Sequence, residues 1–309
     1  MIGTKLLNSQ KQLQRLPLNC DNLKCTLKII IMKRIILLYV AYYITINFSF
    51  SQSVQVDSIY SPILKRSVPT TIILPPDYDS AKQYPVFYLL HWWSGNNESF
   101  LKTNLLSELK NKQLIIVTPS ADTSWYVNSF TNPVNRYEDF MVLELFDYID
   151  KKYKTSSTHQ AIGGFSMGGF GALELGLKHP ERFTFIADIS GPINAPFYDI
   201  PLTPGSPLNF IMNSVKLSFG DANPNISTGS NIFSLLKSKP TSKNIFVYMA
   251  VGKQDEFDFI IPQHKILLDE LNKQKIKYQY LEFDGDHFDG KVLAACLPSL
   301  LNKLNERMK

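Results

Sequence analysis

The chain has 309 residues, of which 44% are hydrophobic and 19% charged, with 15 Gly and 18 Pro; this ordinary globular composition excludes a collagen-like, coiled-coil or intrinsically disordered protein. The length allows one large α/β domain or two smaller ones. The formal net charge is +5, but seven of the 32 Lys+Arg and one of the 27 Asp+Glu lie in residues 1–51, leaving 25 basic and 26 acidic residues, a balance that excludes a basic, nucleic-acid-binding body.

Residues 1–31 are polar, rich in Lys, Asn and Gln, and precede a second methionine, Met32. They read as an upstream extension outside the fold. Residues 32–51 open on Met32-Lys33-Arg34, continue as a 16-residue apolar run and end on Ser49-Phe50-Ser51. That is the pattern of a secretory signal peptide cleaved near Ser51 or Gln52. The competing reading is a membrane anchor, but the run falls short of the ~20 residues a span needs and lacks a charged stop. The expectation is a secreted or periplasmic protein that meets a membrane only through an uncleaved signal segment. Of the three cysteines, Cys20 and Cys25 precede the cleavage point, so Cys296 remains alone and the mature protein has no internal disulfide.

From residue 52 to 309 the pattern predicts a single α/β domain. TTIILPP (70–76) reads as a strand closed by a proline pair. VFYLLHW (86–92) and LIIVTPS (114–120) are continuous apolar runs, the mark of strands buried on both faces. DFMVLELFDYIDKKY (139–153) has apolar residues at helical spacing and a basic end, as a helix C-terminus prefers. HQAIGGFS (159–166) is a short strand and turn, and GGFGALELGLKHPERF (168–183) a helix of small residues closed by Pro180. Strands follow at 183–190, 244–252 and 278–285, and helices at 263–275 and 292–307, the last interrupted near Pro298. Strand–helix alternation implies a mainly parallel central sheet flanked by helices, with an active site beyond the C-terminal strand ends. Residues 191–243, rich in Pro, Asn and Ser, form an insertion expected to cover the site.

The sharpest motif is Gly164-Phe165-Ser166-Met167-Gly168, lying between a predicted strand and a predicted helix. That is the setting of a nucleophile elbow. Glycines two residues either side of Ser166 remove side chains that would strike the neighbouring strand and helix. A serine nucleophile needs a base and an orienting acid later in the chain. Two histidines follow at a useful distance: His264, inside a helix where a surface role suits it, and His287, on a Gly-Asp-His turn after a strand. His287 is the candidate base. Asp255, three residues past the strand ending at Gly252, is the candidate acid, with Asp258 and Glu256 as rivals. The backbone N–H groups of Met167 and Trp93 are the expected oxyanion donors. Trp92, Trp125 and Tyr126 are candidate walls of the substrate pocket, against a plain packing role. Neither a metal nor an organic cofactor is implied.

Taken in order, YPVFYLLH (84–91), SGNNESF (94–100), SWYVNS (124–129), YEDFMVLEL (137–145), GGFSMGGFGALELGLKHPERF (163–183), VGKQDEF (251–257) and GDHFD (285–289) resemble the esterase branch of the α/β-hydrolases. That branch holds tributyrin-type carboxylesterases, S-formylglutathione hydrolases, feruloyl and acetylxylan esterases, and mycolyltransferases. The resemblance implies Ser166 as nucleophile, Asp255 as acid and His287 as base, acting on short-chain, acetyl-type esters of small molecules or carbohydrate. It also implies an oxyanion loop reading His-Gly-x, whose third residue aligns with Trp93; here Trp92 replaces the glycine. Acyl transfer to a sugar by the same triad, and a non-catalytic glycan-binding relative, are the alternative readings.

Overall fold

The computed structural model describes residues 28, 30–38, 52–197, 206, 208–221, 229–238, 245–288 and 290–308. The chain divides into two compact units, Met1–Phe50 and Ser51–Lys309. In the first unit, residues 30–38 are helical and exposed; the rest of the expected signal segment and its cleavage point at Ser51 lie outside the described residues. Among the described residues, no helix is long and apolar enough to cross a membrane.

The second unit is built on one eight-stranded sheet. Its strands are β1 (Ser53–Ser61), β2 (Arg66–Leu74), β3 (Tyr84–Leu90), β4 (Ile115–Pro119), β5 (Thr155–Phe165), β6 (Phe183–Ile189), β7 (Phe246–Gly252) and β8 (Lys277–Phe283). They lie in the order β1-β2-β4-β3-β5-β6-β7-β8. β2 runs antiparallel to β1 and β4, and the neighbours from β4 to β8 are parallel. The middle of the parallel portion is covered on both faces, as the continuous apolar runs require, while β8 at its edge is only half-buried. Alternate residues divide between two cores. Val86, Tyr88 and Leu90 enter one, while Phe87 and Leu89 enter the other. β1 has no such run. Its residues alternate between exposed and covered at the sheet edge, and the apolar-run criterion passes over it for that reason.

Seven helices of the described residues flank the sheet: α1 (Leu105–Glu108), α2 (137–152), α3 (Met167–Lys178), α4 (Leu208–Phe219), α5 (Ile232–Ser238), α6 (Ile260–Lys273) and α7 (Lys291–Arg307). α2 runs through Tyr137–Asp139, a π-helical stretch Phe140–Leu145 and Phe146–Lys152. α4 and α5 belong to the insertion between β6 and β7.

α7 differs from expectation, because it continues through Pro298. A proline inside a helix leaves the carbonyl four residues back without its N–H partner. That carbonyl belongs to Ala294, and the Asn104 side chain donates to it at 3.0 Å. A tertiary bond thus replaces the missing helical one.

Candidate active site

Ser166 ends β5 and opens α3 with φ +55° and ψ −118°, a left-handed backbone that non-glycine residues adopt only under constraint. The constraint is visible on every side. The Ser166 N–H donates to the Ile189 carbonyl at 2.8 Å, and its own carbonyl accepts from Phe170 N–H at 3.1 Å. A Cβ on Gly164 would lie 2.4 Å from the backbone of Gly168, and one on Gly168 would lie 2.1 Å from the Leu90 carbonyl oxygen. The turn therefore closes only with glycine at both positions.

The loops after β7 and β8 are stitched together beside this turn. Lys253 N–H donates to Phe283 O at 2.9 Å, Gln254 N–H to Gly285 O at 3.1 Å, and Gly285 N–H to Gln254 Oε1 at 2.6 Å. Glu256 accepts the His287 backbone N–H at 2.7 Å. This frame brings His287 Nδ1 to 2.9 Å from Asp255 Oδ2 and His287 Nε2 to 2.8 Å from Ser166 Oγ, across 121 positions of sequence. A carboxylate only accepts, so Nδ1 carries the ring proton and Nε2 presents a lone pair to the Ser166 hydroxyl. Both partners are dry: the His287 side chain is 4% exposed and that of Asp255 1%. Phe165 and Phe257 pack on the imidazole at 5.1 and 4.7 Å between centroids.

Of the rival acids, Asp258 is exposed and Glu256 binds the main chain of His287 rather than its ring. Glu256, weighed from the sequence only as a rival acid, is instead a supporting residue, and that role was not legible because its target is a backbone N–H that no pattern marks. His264 departs from the expected surface role. It is fully buried, in ion-pair contact with Asp188 at 3.0 Å, because it lies on the same buried stripe of α6 as Ile260, Leu267 and Leu271.

The loop after β3 is shaped by His91. Its Nε2 accepts the Ala121 N–H at 2.9 Å, and its Nδ1 donates to the Trp92 carbonyl at 2.8 Å. Burial holds the ring below the ordinary histidine pKa, so it stays neutral, with one nitrogen accepting and the other donating. Trp92 packs edge-on against Phe100 and Phe165 at 5.4 and 5.9 Å.

A cleft of about 720 Å³ opens over Ser166 and His287, and Trp92, Trp93 and Trp125 line it. Ile211, Met212 and Val215 of α4 form further apolar wall, so part of the insertion contributes directly to the cleft. Met167 is buried at the first position of α3. Tyr126 requires a correction, for it does not line the cleft. It is fully buried behind the β3 loop, donates to the His91 carbonyl at 3.1 Å and fills the space beside Gly171. Consecutive positive φ values at Trp125 and Tyr126 turn the first ring toward the cleft and the second away from it.

The sequence model of the family described as "Putative esterase" matches residues 61–291. An acetyl esterase of Caldicellulosiruptor saccharolyticus is 27% identical over 248 residues, 74% of this chain and 90% of that protein. An endo-1,4-beta-xylanase/feruloyl esterase of Xylanibacter ruminicola is 30% identical over 124 residues, 36% of this chain but only 17% of that longer protein. Among solved structures, an S-formylglutathione hydrolase from Agrobacterium tumefaciens superposes with a TM-score of 0.71 at 17% identity, covering 85% of this chain and 98% of that one. The fluorophosphonate-binding serine hydrolase F of Staphylococcus aureus gives 0.69 at 21% identity, covering 82% and 98%. At these identities the structural likeness establishes the α/β-hydrolase fold.

Proposed function

The chain belongs to the "Putative esterase" family and is a serine ester hydrolase, and from that premise we propose that Ser166, His287 and Asp255 form its catalytic triad. His287 Nε2 removes the Ser166 proton as Oγ attacks the ester carbonyl. The N–H groups of Met167 and Trp93 receive the tetrahedral oxyanion. His287 then protonates the departing alcohol, leaving an acyl-Ser166 that water cleaves by the same cycle. Asp255 holds the tautomer and stabilises the imidazolium.

The observation that carries this reading is the pair of contacts at His287, 2.8 Å to the hydroxyl and 2.9 Å to the carboxylate. The substrates proposed are short-chain, acetyl-type esters, including acetyl groups on carbohydrate. The similarity to an acetyl esterase along most of the chain supports the acyl group. The partial similarity to a xylanase/feruloyl esterase supports a glycan context. Residues 32–51 support export, to the periplasm or the exterior.

Hydrolysis of p-nitrophenyl acetate and release of acetate from acetylated xylan test the activity. Ser166→Ala should lower kcat by about 10⁴-fold or more and abolish labelling by a fluorophosphonate probe. A Ser166→Ala protein that retains wild-type turnover would exclude Ser166 as nucleophile.

A further inference from the structure

Ser214 lies on α4, and its hydroxyl is used to capacity. It accepts the Trp93 indole N–H at 3.0 Å and the Trp125 indole N–H at 2.9 Å. It donates to the Ile211 carbonyl, three residues back on the same helix, at 2.6 Å. A hydroxyl has one proton to give and two lone pairs to offer, so all three are occupied. The residue is 5% exposed.

The two tryptophans reach this hydroxyl from different loops, one after β3 and one after β4, and both line the cleft over Ser166. Trp125 does so from φ +58°, followed by Tyr126 at φ +62°. Bulky residues hold such backbone only where their surroundings over-determine it. The hydroxyl of Ser214 is one such constraint. Another is the packing of the Trp125 ring on Phe170 and on Phe219 of α4, at 5.9 and 6.0 Å. Released from Ser214, either indole can turn and change the cross-section of the cleft.

We propose that Ser214 is a positioning residue for acyl selectivity: by holding the Trp93 and Trp125 indoles on one hydroxyl, it gives the cleft fixed walls that sort acyl groups by size. The inference rests on Ser166 being the nucleophile of that cleft. It is tested with p-nitrophenyl acetate, butyrate and octanoate on five proteins: wild type, Ser214→Ala, Ser214→Thr, Trp93→Phe/Trp125→Phe and that double variant carrying Ser214→Ala as well.

In Ser214→Ala the spread of kcat/KM across the three esters should shrink about tenfold, the change appearing mainly in KM, since pocket contacts of this size discriminate by about that factor. Ser214→Thr keeps the hydroxyl and should restore the wild-type spread. The double phenylalanine variant lacks both indole donors and should also flatten the profile. Adding Ser214→Ala to it should then change nothing further. A wild-type spread in folded Ser214→Ala overturns the proposal, as does an equal effect of that substitution in the phenylalanine background. Should Ser214→Ala not fold, an unaltered profile in the double variant overturns it as well. Fluorophosphonate labelling of the wild type separates the two levels. A labelled enzyme with an unmoved profile removes only the role of Ser214, whereas an unlabelled, inactive wild type removes the nucleophile assignment and with it this inference.

Discussion

A single methyl group added at position 168 would lie 2.1 Å from the Leu90 carbonyl oxygen and 2.7 Å from that of His91. Both obstacles are backbone: Leu90 is paired with Gly164 of β5 and the His91 carbonyl accepts the Tyr126 hydroxyl, so neither yields as a flexible side chain would. Gly168→Ala should therefore destabilise the protein by about 3 kcal/mol, the upper range for overpacking a filled site, and depress turnover by shifting Ser166. Urea titration and p-nitrophenyl acetate kinetics measure the two effects. Asp255→Asn tests the ring tautomer. The amide keeps the shape of the carboxylate but lets the imidazole carry its proton on Nε2, facing Ser166, where no lone pair then receives the hydroxyl proton. The expected loss is about 10⁴-fold in kcat, with the folded state retained by circular dichroism. A loss below tenfold contradicts the role given to Asp255.

At the scale of elements, α6 is fastened to the sheet through a second histidine–aspartate pair. His264 Nδ1 donates to the Ile260 carbonyl at 2.8 Å within α6, and Nε2 meets Asp188 of β6 at 3.0 Å, both side chains fully buried. Asp188 also accepts the Gly191 N–H at 2.8 Å, so the carboxylate is shared between helix and loop. Burial alone would lower the His264 pKa, but the adjacent Asp188 carboxylate outweighs it and the pKa is raised above 6.5. A group whose pKa is higher folded than unfolded contributes stability below its unfolded value and loses it as pH rises through the folded one. Unfolding free energy should therefore decline as pH is raised from about 6.5, the unfolded histidine value, through the raised pKa of His264. His264→Gln should remove that decline and cost about 3 kcal/mol at pH 6, the price of orphaning a buried partner. Urea midpoints across a pH series decide it, and an unchanged slope in the variant counts against the pair.

At the scale of the whole molecule, the middle of the sheet is sealed on both faces, and Cys296 reports on the seal. It sits on α7 in the same core as Phe87, Leu89 and Tyr248, with no exposed surface. Burial pushes its thiol far above the ordinary value, and Sγ contacts the Leu293 carbonyl at 3.4 Å. Only the thiolate reacts with disulfide reagents. Native protein beginning at Gln52, in which Cys296 is the one cysteine, should therefore resist a chromogenic disulfide, and labelling should appear with the denaturant transition measured by fluorescence. Rapid stoichiometric labelling in native buffer would mean that α7 opens independently of the fold.

The amino-acid order alone carried the features that are local. Runs such as VFYLLHW declare strands buried on both faces, because such a sheet leaves no polar alternation. Gly164-Phe165-Ser166-Met167-Gly168 declares its turn, because only glycine fits where strand and helix meet. From these the fold class, the family resemblance and the candidate residues Ser166, Asp255 and His287 were legible. Features that depend on distant partners were not. His264 looked like a surface residue until the docking of α6 on the sheet set it against Asp188, and Tyr126 looked like a cleft wall until its hydroxyl reached the His91 carbonyl. Pro298 looked like a helix break until Asn104 supplied the missing donor. Ser214 was one serine in a polar insertion until two loops brought their tryptophans to its hydroxyl. In each case the deciding contact joins positions far apart in the chain, and a hydrogen bond or ion pair of that kind exists only once the backbone has closed around it.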